Sequence, residues 1–271
     1  MTKVRLFSDL HLEFELSKEA YADRDAAGTG LFHPGEGDVL ILAGDICTAK
    51  DLPKDNPQGT YYRMFFEAAA RNYNKVLYVM GNHEHYGHNF TFTAEKLRKN
   101  LPAGVTLLDK EVVEYGGWTF MGSTLWTDFQ GNNPLAMQLA RGMMSDYKTI
   151  RFGSEYRKLF PEDILREHNV TRHWMEETLL KTEGPVFMIT HHQPSFQSLD
   201  TSYRGSPANP FYASELSKFI MCHPQIKYWV AGHTHVSVDY PIDQCRVMGN
   251  PRGYAGYELN PNFDPNFIVE L

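Results

Sequence analysis

The chain has 271 residues, 42% hydrophobic and 13% aromatic, which is enough to bury a sizeable core and too apolar for global disorder. A formal net charge of −7 speaks against a protein that coats nucleic acid nonspecifically. The three scattered cysteines (Cys47, Cys222 and Cys245) suggest no disulfide framework, and there is neither a signal-peptide core nor the roughly 20-residue apolar run of a membrane helix, so a soluble cytoplasmic protein is expected.

Lys3 to Phe7 reads as a short strand, followed by Ser8-Asp9-Leu10-His11. If the segment stays extended, Asp9 and His11 point to one side and can reach one ion; taken alone, they read rather as a surface acid and an incidental histidine. Residues Glu15 to Gly37 read as a loop or short helix. Asp38 to Ala43 is an unbroken apolar run, as in a strand covered on both faces, and ends in Gly44-Asp45-Ile46-Cys47. Tyr62, Phe65, Phe66 and Ala69 recur at helical spacing, so Tyr61 to Asn72 is a crossover helix whose aromatic stripe belongs to the core. Val76 to Met80 is the next strand, and the order β, β, α, β favours a parallel sheet with right-handed crossovers. It runs into Gly81-Asn82-His83-Glu84-His85-Tyr86, where Gly81 reads as a hinge, Glu84 as a residue that holds the loop, and His85 as packing.

Thr91 to Asn100 is helical with a wet charged face, and Glu111 to Tyr115 with Trp118 to Met121 flank a Gly-Gly hairpin turn. Helices are expected over Pro134 to Tyr147 and over Glu162 to Lys181, the latter between Pro161 and Gly184. Val186 to Thr190 is a fourth apolar run and ends in His191-His192. Ser195 to Pro210 is a loop long enough to act as a lid, and Phe211 to Met221 reads as a helix. Tyr228 to Ala231 is the fifth run and ends in Gly232-His233-Thr234-His235, where a second same-side pair is expected on an extended segment. With no repeat or linker visible, residues 1–271 read as one domain.

Each of the five apolar strands thus delivers metal-capable side chains at its carboxyl end, which is where open α/β sheets bind ligands. Asp9-Leu10-His11, Gly44-Asp45, Gly81-Asn82-His83-Glu84, His191 and Gly232-His233-Thr234-His235, in that order, resemble the motif series of the calcineurin-like metallophosphoesterases. Gly249 to Tyr254 is similar to the ending of their small bacterial and phage members. The resemblance implies an α/β fold of two facing mixed β-sheets flanked by helices, a four-layer sandwich, and a site for two divalent metals. It assigns Asp9, His11, Asp45 and His235 to one ion and Asp45, Asn82, His191 and His233 to the other, with Asp45 bridging and His83 unligated and facing substrate.

The residue types suit that chemistry. Two ions roughly 3.5–4 Å apart activate a bridging water as hydroxide and stabilise phosphoryl oxygens during in-line displacement. Oxygen and imidazole ligands without thiolate favour Mn, Fe, Zn or Co. A histidine such as His83, titrating near neutrality, suits protonation of the leaving oxygen. The expected substrate is a small phosphomonoester or phosphodiester; a non-catalytic metal-binding scaffold and a nuclease are the alternatives. The phosphate-clamping arginine that calcineurin-type protein phosphatases carry soon after Gly-Asp is missing from Gly44 to Lys50, which argues against a protein phosphatase. Arg204 and Arg252 are candidates to replace it, and Asn82, Tyr86 and Asn250 are further candidate substrate contacts.

Overall fold

The computed structural model describes residues 1–15 and 37–271, so most of the loop or short helix expected between Glu15 and Gly37 lies outside the described residues. In chain order come β1 (Lys3–Phe7), β2 (Val39–Ala43), α1 (Pro57–Asn72), β3 (Lys75–Val79), α2 (Phe90–Asn100) and β4 (Val105–Leu107). The hairpin β5 (Glu111–Tyr115) and β6 (Trp118–Gly122) leads to α3 (Phe129–Asn132), α4 (Pro134–Met143) and α5 (Asp146–Thr149). A small hairpin, β7 (Arg151–Phe152) and β8 (Arg157–Lys158), precedes α6 (Pro161–Leu179), β9 (Val186–Ile189), α7 (Ser217–Cys222) and β10 (Ile226–Val230). The chain closes with β11 (Val238–Ile242), β12 (Cys245–Gly249), the two-residue strands β13 (Gly253–Tyr254) and β14 (Glu258–Leu259), and β15 (Ile268–Glu270).

Two mixed sheets result. The first has the order β15-β1-β2-β3-β4, parallel from β1 to β4 with β15 antiparallel at its edge. The second runs β11-β12-β10-β9-β6-β5, parallel across its middle four strands and antiparallel at both edges. The pleat explains why strands such as β2 are apolar throughout. In β2, Val39, Ile41 and Ala43 pack with Phe120, Phe187, Ile189, Val230 and Met248 of the opposite sheet. Leu40 and Leu42 point the other way, onto Tyr62, Phe65, Phe66 and Ala69 of α1. Outside the second sheet, Met188, Trp229 and Val247 pack on Met175 and Leu179 of α6 and on Phe219 and Ile220 of α7. The layers are therefore helix, sheet, sheet, helix, as the resemblance implies.

Capping sets the helix starts. Asn56 accepts from the Gly59 amide at 2.8 Å ahead of Pro57, and Asp163 accepts from the Phe160 amide at 3.0 Å around Pro161. Two expected helices are shorter than their sequence suggests. The one expected over Pro134 to Tyr147 breaks at Met144, whose backbone is extended, and resumes as the single turn α5. Of Phe211 to Met221, only Ser217 onward is α-helical; Phe211 ends a 3₁₀ turn and packs in a different cluster from Phe219 and Ile220. Among the described residues no helix is long and apolar enough to cross a membrane.

Candidate metal centre

Strands β1, β2 and β3 of one sheet and β9 and β10 of the other end at a common edge, and the polar residues that follow them converge there. They do so by a route different from the one expected. Asp9 and His11 do not lie on an extended segment; their φ angles are 52° and 45°. Asp45 (54°), His233 (70°) and His235 (53°) are also left-handed, a conformation that costs a side-chain-bearing residue roughly 1–2 kcal/mol. After β1, β2 and β10 the chain thus turns sharply and throws these side chains inward, so backbone strain, and not the β-pleat, aims them, whereas Asn82 after β3 keeps a right-handed φ of −82°. Close approach also explains the glycines. A Cβ at Gly81 would sit 2.1 Å from Asp45 Oδ1, and one at Gly232 would sit 2.3 Å from Asp9 Oδ2. Gly81 therefore supplies room and is not needed as a hinge.

Two groups of side chains meet across this edge, Asp9 with His11 and His235, and Asp45 with His191 and His233; the potential ligand atoms within each group lie within 4.8 Å of one another. His235 Nε2 is 3.5 Å from Asp9 Oδ1 and 3.1 Å from His11 Nε2. Asp45 Oδ2 lies between the groups, 3.6 Å from His11 Nε2 and 3.4 Å from His191 Nε2. Asn82 Oδ1 lies 3.2 Å from His191 Nε2. His233 Nε2 is buried without a hydrogen-bond partner among the described residues. Burial and the neighbouring imidazoles His192 and His191 hold its pKa well below the usual value, so it is a neutral ring with a lone pair and nothing to receive it. Burial alone would raise the Asp45 carboxyl, but the charges of His191 and His83 hold it well below the carboxylate range. A buried set of carboxylates and imidazoles, including one orphaned nitrogen, fits divalent cations.

A family model for the calcineurin-like phosphoesterases matches residues 2–237. The chain belongs to this family. As a metallophosphoesterase it is similar, at 25% identity over all of this chain and 97% of the relative, to a protein of Acanthamoeba polyphaga mimivirus named Uncharacterized protein L509. Its fold is similar to that of the phosphopantetheinyl hydrolase PptH from Mycobacterium tuberculosis, with a TM-score of 0.64 at 17% identity over 93% of this chain and 89% of that one. It also resembles a putative 5′-nucleotidase from Staphylococcus aureus, with a TM-score of 0.51 at 14% identity over 91% of this chain and 48% of that one.

Around the candidate metal centre, hydrogen bonds hold the loops in place. Glu84 accepts from the amides of Asp45 (3.1 Å), Ile46 (2.8 Å) and Gly81 (2.6 Å) and from the Tyr78 hydroxyl (2.6 Å). It binds the β2 and β3 loops together and does not orient His83. Asp9 accepts from the His233 amide at 2.9 Å, and Asp45 Oδ1 accepts from the His83 amide at 2.8 Å, so each aspartate also ties two loops together. The carboxylate beside His83 is Glu13, which escaped the sequence reading although it continues the period-two run Asp9, His11, Glu13. One oxygen of Glu13 lies 2.7 Å from His83 Nδ1 and 3.1 Å from His11 Nδ1. Burial opposes ionisation of Glu13, but these two imidazoles bring its pKa down to about 2. Tyr254 was also missed; its hydroxyl is 3.3 Å from His83 Nε2 and its ring lies against His11 and His235.

The expected substrate contacts divide. Tyr86 stacks on His83 with ring centroids 4.1 Å apart, and its hydroxyl lies between Asn82 and Asp146 at the site. Asn250 does not face the site with its amide, which donates to the carbonyls of Leu6 and Asp264 and accepts from the Asp264 amide, pinning the chain after β12. Arg252 is tied to Glu15. Arg204 lines a separate cavity of about 690 Å³, enclosed by the Phe196–Pro210 loop and residues near the start of α4, which contains none of the candidate ligands. The loop itself holds three 3₁₀ turns.

Proposed function

We propose that the chain hydrolyses small phosphomonoesters or phosphodiesters at a centre for two divalent ions, Mn, Fe, Zn or Co. Asp9, His11, Asp45 and His235 would hold one ion, and Asp45, Asn82, His191 and His233 the other. The observation that carries this reading is the placement of Asp45 Oδ2 between the two groups, within 3.6 Å of an imidazole nitrogen from each. Once bound, such a pair supplies Lewis-acid activation of water and neutralises charge on phosphoryl oxygens. We read the chain as one domain, because both sheets share one core and the site takes residues from both.

His83 is the proton donor. Its amide is anchored on Asp45 and its Nδ1 on Glu13, which leaves Nε2 on the side of Tyr254 to meet a leaving oxygen. An ionised carboxylate only accepts, so Glu13 fixes the proton on Nδ1 and makes Nε2 the exchanging position. Burial works against the charged ring, but the charge of Asp45 and the hydrogen bond to Glu13 raise the His83 pKa to about 9 in the metal-free protein. Cations nearby work in the opposite direction and bring it toward neutrality, where a general acid is most effective. Tyr86 stacked on the ring restricts its rotation.

The test is to strip the protein of metal, restore Mn²⁺, and assay para-nitrophenyl phosphate, its bis ester and a panel of nucleotides. Metal-restored turnover supports the reading, and none on any substrate defeats it. His83→Ala is expected to keep its metal and to lose turnover on the nucleotides, whose alkoxide leaving groups need the proton; unchanged turnover on them removes the proton-donor role.

A further inference from the structure

The turn that carries Asn82 and His83 has a second face, directed away from the metal centre. His85 lies there, 2% exposed and stacked on Phe90 with centroids 4.5 Å apart and planes at 13°. Neither of its ring nitrogens has a hydrogen-bond partner among the described residues. A neutral imidazole offers one donor and one acceptor. Two such groups left unpaired in a protein interior call for a partner.

His85 forms part of the wall of a cavity of about 300 Å³ between the end of β3, α2 and α6, together with Met80, Phe90, Ala94, Trp126 and Phe152. That volume is at the small end of ligand pockets and suits one or two fused rings. Charged groups at its edge already have partners. Lys110 pairs with Asp109 at 2.8 Å and Glu167 at 2.5 Å, and Arg166 with Asp163 at 3.7 Å. A charged ligand would have to break one of these pairs, whereas an uncharged ring would lose water and gain aromatic contact.

We propose that this cavity is an effector site for a small uncharged heteroaromatic molecule that lies against Phe90 and Trp126 and exchanges a hydrogen bond with His85 once that buried ring turns toward it. A row of rings leads from it to the metal centre. Trp126 lies 4.9 Å from His192, and His192 lies 4.1 Å from His233, a candidate ligand. An occupant that shifts Trp126 therefore bears on His233, and so on metal affinity. This coupling rests on the two-ion reading; the binding does not.

The full-length protein would be titrated with benzimidazole, indole and 2-pyridone, with benzoate and benzamidinium as charged controls of similar size. The indole N–H resonance of Trp126 and the methyl resonance of Ala94 would be followed by NMR. Saturable binding of at least one neutral probe is expected at a Kd of about 1 mM or tighter, shifting both signals. Ala94→Leu, which fills the cavity, should weaken it at least tenfold, and His85→Phe, which keeps the stacking, several-fold. The bound probe should change Mn²⁺ affinity about fivefold or more in the wild type and not in Ala94→Leu. If no neutral probe saturates, if the charged controls bind equally well, or if the shifts map elsewhere, the site is refuted. Binding that leaves Mn²⁺ affinity unchanged in a protein shown to bind Mn²⁺ refutes the effector role, whereas absent Mn²⁺ binding overturns the two-ion reading and the coupling with it.

Discussion

Glu13→Gln separates the positioning of His83 from the holding of metal. The substitution keeps the side chain's shape and one acceptor oxygen but removes the charge that two imidazole Nδ1 groups share, at 2.7 Å from His83 and 3.1 Å from His11. A hydrogen bond to a charged partner contributes about 1.5–3 kcal/mol net. If that orientation is used fully as the leaving oxygen takes its proton, and about 1.4 kcal/mol is tenfold in rate, kcat falls roughly 10- to 150-fold. The loss should depend on the ester. An alkyl phosphate expels a strongly basic alkoxide and needs the proton, whereas para-nitrophenyl phosphate expels a stable phenolate and should lose less than about threefold. The assay is kcat and KM across a series of esters with graded leaving groups, alongside metal content by elemental analysis, which should stay at the wild-type value. Equal losses across the series would refute the orienting role, and loss of an ion would make Glu13 a ligand instead.

Gly81→Ala is expected to cut metal affinity at least tenfold in calorimetric titration, because the added Cβ would sit 2.1 Å from Asp45 Oδ1 and 2.7 Å from His191 Nε2. Glu84→Ala leaves three amides and the Tyr78 hydroxyl without their acceptor and should destabilise the metal-free protein by at least roughly 3 kcal/mol in urea denaturation. Metal affinity should rise with pH. Burial opposes protonation of His191, but Asp45 raises its pKa to about 10, so this ring holds a proton at neutrality that must leave as metal enters; Asp9 shifts His235 in the same direction. From about pH 6 to about pH 8 the gain is roughly 100-fold per displaced proton, measurable by competition with a chelator at each pH; a flat profile would contradict it.

The central strands were legible because burial on both faces makes them largely apolar runs, as in Val39–Ala43 with its alternate residues in two cores, although Arg5 interrupts β1 and Lys227 interrupts β10. Strand β4 was not, since Val105–Leu107 is three residues at a sheet edge and only Leu107 is buried. Phe211, Leu216, Phe219 and Ile220 imitate one helical face but serve two separate clusters. At the site, residue types and their places after strands were readable, yet the geometry was not. Period-two reasoning brought Asp9 and His11 together for the wrong reason, because left-handed φ values are a tertiary outcome that no local pattern announces. Glu13 carried no signal of its own, because its two imidazole partners come from positions 2 and 70 residues away.

The division of the sheets along the chain has a consequence for assembly. Residues up to Leu107 build four of the five strands of the first sheet, and the whole second sheet lies between Glu111 and Gly249. A single cut between Leu107 and Glu111 would leave Asp9, His11, Asp45 and Asn82 on one fragment and His191, His233 and His235 on the other. Neither proposed ion would then find its full set of ligands on one piece. On this reading divalent metal is a fastener between two half-proteins, and fragments mixed in chelator should join loosely through their apolar faces and lock together when Mn²⁺ is added.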